Sequence, residues 1–331
     1  MIPRTERLFR LGLHGMPALL FAAVFVIFGI FSPRFVEYQS LENIVKQASY
    51  VGILSVGMTF VLLTGGIDLS IGSNMYLSGV TAGLLIQRYD LPAWAALAAC
   101  LIVGTLFGMV NAVLITRLRI IPFVATLATW ALGKGLGQML TQSQEVVFSA
   151  GVTGLGSQEI LGLPCPIWIF AAVTAAAWTF LHRTPMGRQI YAVGFDREIA
   201  RRAGIRTDRA LAISYVACGT LAALGGFVSV AQLGNINAGF GDKAEFEAIA
   251  AAVLGGVSLF GGIGSVFPGT VLGVVMIKMI NTGLVSAQVD PYLQPLASAG
   301  ILFAAVLLDS IRKGQLVRMN RRTIRVEEEG N

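Results

Sequence analysis

The sequence predicts an all-α, polytopic membrane protein of about ten transmembrane helices with both termini cytoplasmic. Three observations carry that reading: composition, the recurrence of apolar segments, and the sidedness of the basic residues between them. Hydrophobic residues make up 55% of the 331 positions and charged residues only 13%, whereas a soluble domain devotes about a quarter of its residues to charge. Mean hydropathy is +0.73. Glycine, frequent where membrane helices approach closely, contributes 39 residues. No long polar stretch is present from which a soluble domain would be built, so residues 1–331 read as a single transmembrane domain.

The apolar segments fall near 16–31, 43–64, 68–87, 92–115, 121–142, 166–182, 210–233, 244–260, 262–282 and 293–311, several of them shorter than the roughly 20 residues that a perpendicular span requires. The first follows Arg4, Arg7 and Arg10, as in a signal peptide. The residues after it, Ser32-Pro33-Arg34-Phe35, lack a small-x-small cleavage site, so it is expected to stay as the first helix. With a cytoplasmic N-terminus, the inner side holds those three arginines, Arg117 and Arg119, seven arginines between 182 and 210, and six basic residues after 311. The outer side holds only Arg34, Lys46, Arg88 and Lys243. Eighteen against four follows the positive-inside rule and favours an even number of spans. The loop from Ser143 to Cys165 has no Lys or Arg and is placed outside. The connection of about 183–209 is the only long cytoplasmic one between spans, and a cytoplasmic partner would make contact there. A basic cytoplasmic tail follows over about 312–331.

Chemistry concentrates where apolar runs break. In Gly65-Gly66-Ile67-Asp68-Leu69-Ser70-Ile71-Gly72-Ser73, paired glycines and an acid separate two segments. A carboxylate in hydrocarbon needs a partner or water. Asp68 or Ser70 either caps the helix that resumes there, or the broken segment, with Thr64 and Ser73, lines a path across the membrane. Lys134 and Lys278 lie within spans and are path residues, partners for an acid, or side chains extended to the interface. Asn111, Gln138, Asn235 and Asn281 either meet a hydroxylated solute or join helices by hydrogen bonds. Gly79 and Gly83, Gly104 and Gly108, Gly133 and Gly137, and Gly269 and Gly273 each recur four apart, which is packing. Gly261-Gly262-Ile263-Gly264-Ser265 faintly echoes the first break, but not at the position an inverted repeat requires.

Several classes are disfavoured. No G-x-x-x-x-G-K-[ST] loop is present, so the chain is expected to hold no ATP of its own. The only histidines are His14 and His182, so no catalytic residue, metal or cofactor is expected. Cys100, Cys165 and Cys218 stand singly, without metal or disulfide spacing. The net charge of +6 reports orientation rather than nucleic-acid binding.

Val56-Gly57-Met58-Thr59 and Thr64–Ser73 together resemble the signature of the ribose/xylose/galactoside permease family of bacterial ABC importers, the binding-protein-dependent inner-membrane components. Pro122-Phe123-Val124-Ala125-Thr126-Leu127, Gly187-Arg188-Gln189-Ile190-Tyr191-Ala192-Val193-Gly194 and Glu247-Ala248-Ile249-Ala250-Ala251-Ala252-Val253-Leu254-Gly255-Gly256 match in family order, and the similarity runs from about 30 to 313. The resemblance implies a permease subunit in a bacterial inner (plasma) membrane that imports a monosaccharide or related polyol. It implies a second permease subunit, identical or not, cytoplasmic ATPase subunits that bind the ATP, and a periplasmic or tethered substrate-binding protein. The 183–209 loop resembles the family's coupling segment, with Gly194 at its central glycine and Ala200, Ala203, Gly204 and Ile205 following. Small residues there, with Gly187 and Ala192, would seat a short helix in a cleft of the ATPase, and Glu198, Arg188 and the other arginines would orient it. Lys134 falls where relatives tend to be basic; Lys278 departs from the pattern. Import of branched-chain amino acids or of a sugar-like signalling molecule within the same superfamily is the alternative. An ion-coupled carrier is a further one, against which Asp68 stands without the companion acids of a proton relay.

Overall fold

The computed structural model describes residues 16–300, together with 303 and 307. Arg4, Arg7, Arg10, His14 and the tail 312–331 lie outside the described residues. A helix occupies each of the ten apolar segments. They are α1 Met16–Phe31, α2 Tyr38–Leu63, α3 Ile71–Tyr89, α4 Ala93–Thr116, α5 Pro122–Thr141, α7 Cys165–Arg183, α10 Thr207–Leu233, α11 Ala244–Leu254 and α12 Val271–Ser286, with residues 294–300 also helical. Short helices α6 Ala150–Ser157, α8 Pro185–Phe195 and α9 Arg197–Arg202 lie in the connections. Five stretches are long and apolar enough to cross a membrane: Tyr38–Leu63, Ala93–Thr116, Cys165–Arg183, Thr207–Leu233 and Val266–Ser286. The protein is an all-α membrane protein. Strands among the described residues are two-residue pairs. β1 Val146–Val147 pairs antiparallel with β4 Asn235–Ile236, and β2 Glu159–Ile160 with β3 Leu163–Pro164.

Local chemistry sets the helix limits. Proline opens α5 at Pro122 and α8 at Pro185, where its missing N–H leaves no intrahelical bond unmade. Gly234 ends α10 with φ +83. Two expected spans are shorter than the sequence pattern implies. The run 68–87 becomes helical only at Ile71, and the run 244–260 ends at Leu254, where Gly256 turns the chain at φ +93. The following segment begins as a wide turn, Val266–Thr270, through the cis Phe267–Pro268 peptide, before α12 becomes regular.

The chain divides into two compact units. The first comprises Met1–Glu42 and Val275–Asn331. Within it the buried Phe35 ring lies 5.7 Å from those of Phe25 and Phe28, Ser32 Oγ donates to the Ser286 carbonyl at 3.0 Å, and Gly283 admits Phe28 where a side chain would collide. The second unit is Asn43–Val274, and α3, α4, α5 and α10 pack at its centre. α4 and α10 cross backbone to backbone: a Cβ on Gly219 would lie 2.7 Å from Gly108 Cα, and one on Gly108 2.9 Å from Val216 Cα. Asn74 Nδ2 donates to the Gly219 carbonyl at 3.0 Å at this crossing. Without water to drive burial, membrane helices gain from such close van der Waals contact. The glycine pairs 79/83, 104/108, 133/137 and 269/273 all face neighbouring segments this way.

Candidate translocation path and partner-docking face

α2 ends in a tight turn in which Thr64 N–H and Gly65 N–H bond back to the carbonyls of Val61 (3.0 Å) and Leu62 (2.9 Å), and Thr64 Oγ1 donates to Val61 O at 2.7 Å. Gly65 takes φ +74, and Gly66 must lack a side chain because the Tyr215 hydroxyl occupies that space. Asp68, 1% exposed, then accepts from Ser70 N–H at 2.9 Å and from Ser70 Oγ at 2.5 Å. Asn111 Nδ2 of α4 donates to Ser70 Oγ at 2.8 Å, and Thr129 Oγ1 of α5 donates to Asn111 Oδ1 at 2.7 Å. Ser73 Oγ closes back on the Ser70 carbonyl at 3.0 Å. Thr129, Asn111 and Ser70 thus pass hydrogen bonds in one direction to the carboxylate, joining three helices through buried polar groups that satisfy one another. Ser70 does not cap α3 with its hydroxyl, which points to Asp68 instead.

Lys134 of α5 pairs with Asp242, in the turn before α11, and its ammonium lies 4.8 Å from the centre of the Tyr76 ring. Gln138 lies one helical turn further along α5, half-buried. Asn235 belongs to β4, opposite Val147, and Asn281 accepts from Ser298 Oγ at 3.2 Å within the other compact unit. Lys278 is 5% exposed in α12. The sequence candidates therefore fall into a closed network (Asp68, Ser70, Ser73, Asn111), a second place (Lys134, Gln138), and three separate positions (Thr64, Asn235, Asn281). Sequence reasoning missed Asp242 and Glu245. Glu245, with Glu247 in the same first turn, opens an apolar run, and an acid at such a place is the signal that singled out Asp68. Glu245 is 6% exposed, and its Oε2 has no hydrogen-bond partner.

At the end of the bundle where α2 stops, α8 and α9 form a continuous ledge. Thr184 Oγ1 accepts Gly187 N–H at 3.0 Å to start α8, and Asp196 accepts Glu198 N–H (2.9 Å) and Ile199 N–H (2.8 Å) to start α9. Gly187 and Gly194 face inward. A side chain on Gly187 would strike the end of α7 at Leu181, and one on Gly194 would strike the Leu63 carbonyl and approach Gly262 N. Gly262 N–H itself donates to Leu63 O at 2.9 Å, and Tyr191 Oη donates to Gly264 O at 2.9 Å. Burial pushes the Tyr191 phenol above its ordinary pKa, which keeps this donor protonated. The two glycine-rich breaks, at 65–66 and 261–262, thus meet across Gly194. Ala200 is buried and Ala192 and Gly194 half-buried, so within the subunit these small residues pack against the chain itself. The exposed part of the ledge is Arg188, Phe195, Glu198, Ile199, Ala203 and Gly204, with Ile205 half-buried. Phe195 is 80% and Phe260, in the adjoining break, 92% exposed. Glu198 pairs with Arg201 (2.8 Å) and Arg202 (3.1 Å), and Asp208 with Arg119 (2.8 Å) and Arg197 (2.9 Å).

Apolar helices packed through glycine, with two broken segments brought together and buried polar groups between helices, are the build of a solute permease. Residues 40–308 match the family model described as branched-chain amino acid transport system / permease component, and the chain belongs to that family. The ribose import permease protein RbsC of Escherichia coli strain K12 is 38% identical over 284 residues, covering 84% of this chain and 88% of the relative. The D-allose transport system permease protein AlsC of the same strain is 34% identical over 295 residues (88% and 90%). The fructose import permease protein FrcC of Rhizobium meliloti is 32% identical over 316 residues (91% and 88%). No solved structure is significantly similar to the chain. The protein is a multi-pass component of the inner membrane.

Proposed function

We propose that this chain is the membrane-spanning permease subunit of an ABC importer for a monosaccharide or related polyol. The observation that carries this is the relatives: permeases named for ribose, D-allose and fructose each match more than four-fifths of the chain at 32–38% identity. The subunit crosses the membrane ten times with both termini cytoplasmic, forms the path with a second permease subunit, and receives solute from a binding protein outside. ATP is bound by a cytoplasmic ATPase subunit, and the permease uses no cofactor, metal or catalytic residue of its own. The contacts between connections support that topology. The turn after α2, the loop before α12 and α8 meet one another, as do Arg119 and Asp208, and all of these belong to the arginine-rich side. The 142–149 and 234–240 connections, joined by β1 and β4, belong to the other side. The ATPase would dock on the exposed apolar ledge of Phe195, Ile199 and Phe260, with Arg188, Glu198, Ala203, Gly204 and Ile205 around it and Gly187, Ala192, Gly194 and Ala200 holding it in place from within.

The test is uptake by the complete importer in proteoliposomes, with ribose, allose, fructose and leucine offered singly. ATP-dependent accumulation of one sugar is expected. Accumulation of leucine alone would favour the second reading, import of branched-chain amino acids, which the description of the matched family supports. Accumulation by the purified subunit without ATPase would overturn both.

A further inference from the structure

α3 and α11 both begin inside the packed unit, after glycine-containing turns, and their first turns touch. A side chain on Gly72, the second residue of α3, would lie 2.6 Å from Glu245 Oε2 and would strike the Gly241 carbonyl on the same side. Glu245 is the second residue of α11. Its Oε2 is sealed from solvent yet receives no hydrogen bond, and a buried carboxylate oxygen left in that state is costly. The charged groups that act on it are Asp242, Lys134 and Asp68. Asp68 is already engaged by Ser70. Lys134 and Asp242 are bound to each other, and the Asp242 side chain remains half exposed.

We propose that Glu245, with the Lys134–Asp242 pair beside it, forms the recognition cluster of the path and takes the hydroxyls of a neutral polyhydroxylated solute where α3 and α11 begin. The chemistry matches such a solute. A carboxylate accepts hydrogen bonds from O–H groups, and an ammonium donates to hydroxyl oxygens. The buried Tyr76 ring lies under the Lys134 ammonium and holds it in place beside the cluster. Interrupted helices that start at depth place backbone N–H groups at the same point, as in transporters whose sites lie between half-helices. An acidic solute would face two carboxylates there, so neutral hydroxyls suit the cluster better than anions. This rests on the sugar reading above.

The experiment uses the complete importer and the sugar that the wild-type protein accumulates. Glu245→Gln keeps the size of the side chain and one acceptor. It is expected to lower uptake about tenfold, to weaken discrimination between the sugar and one of its mono-deoxy analogues, and to leave assembly of the complex in place. Lys134→Gln is expected to shift discrimination at a different hydroxyl, and it decides the matter if Glu245→Gln does not assemble. Wild-type rates and unchanged analogue discrimination in the assembled variants overturn the proposal while leaving the sugar importer intact. If the wild-type importer accumulates leucine and no sugar, the functional reading fails, and this inference fails with it.

Discussion

Gly194 of α8 lies directly on the carbonyl of Leu63, the last residue of α2, and that same carbonyl accepts the N–H of Gly262. Three chain segments far apart in sequence share one backbone junction. The glycine is required because no atom beyond Cα fits between them. The ledge bearing Phe195 and Ile199 is thereby fixed to the broken segment that leads to Asp68, with no flexible side chain between.

Gly194→Val should therefore fail as a structural variant. Overpacking against backbone costs about 1–3 kcal/mol, and here the obstruction is a hydrogen-bonded carbonyl. The melting temperature of the detergent-purified subunit should fall clearly below wild type. Ala203→Val, on the exposed side of the ledge, should leave it unchanged. Equal melting temperatures for the two variants would remove the junction from the account.

Replacing exposed apolar groups of the ledge should separate binding from folding. Phe195→Ala and Phe260→Ala remove side chains that bury almost nothing in the subunit, so thermal stability should hold. Affinity for the ATPase subunit, measured with purified components, should drop about tenfold or more for each, as for an aromatic anchor at an interface. Unaltered affinity would place docking elsewhere.

Asp208 holds both Arg119, after α4, and Arg197, at the start of α9. Exposed pairs of this kind contribute about 0–1 kcal/mol each, so Asp208→Asn should barely change stability. It should nonetheless lower solute transported per ATP hydrolysed, because α9 loses its tie to the α4–α5 corner. A ratio equal to wild type would make the pair incidental.

Asp68 and Asn111 should behave as structural members of one network. Asp68→Ala leaves two donors of Ser70 without an acceptor, and Asn111→Ala breaks the link from Thr129. Each unmet buried group costs about 1–3 kcal/mol, and the double variant should lose less than the sum of the singles because the groups are coupled. Additive losses in melting temperature would separate the two residues.

Sidedness can be read directly. A cysteine at Leu161, 87% exposed between β2 and β3, should react with a membrane-impermeant maleimide in intact cells, and one at Phe195 only after lysis. The reverse pattern would invert the topology.

The sequence reveals much of this fold because membrane burial writes itself into composition. Each of the ten apolar runs holds a helix among the described residues, and the four glycine pairs mark helix contacts by spacing alone. What the sequence conceals is partnership across distance. Nothing local tells that Lys134 pairs with Asp242, or that Gly194 packs on the carbonyl of Leu63. The echo between 65–73 and 261–265 is a true proximity without being a repeat in register, since the two turns touch through Gly65, Gly194 and Gly261. Helix starts are blurred for a related reason: Leu69 and Ile71 look alike to a hydropathy pattern, while the Asp68–Ser70 turn that separates them is set by two hydrogen bonds.

The short ladder between Val146 and Ile236 has a mechanical corollary. Both side chains are buried, and Gln87 of α3 donates to the neighbouring Val147 carbonyl at 3.1 Å. The far ends of α3, α5 and α10 are thus clasped together at one point. Pulling at the opposite end would tilt these three as a lever pivoting about that clasp, and the stroke would grow with distance from it.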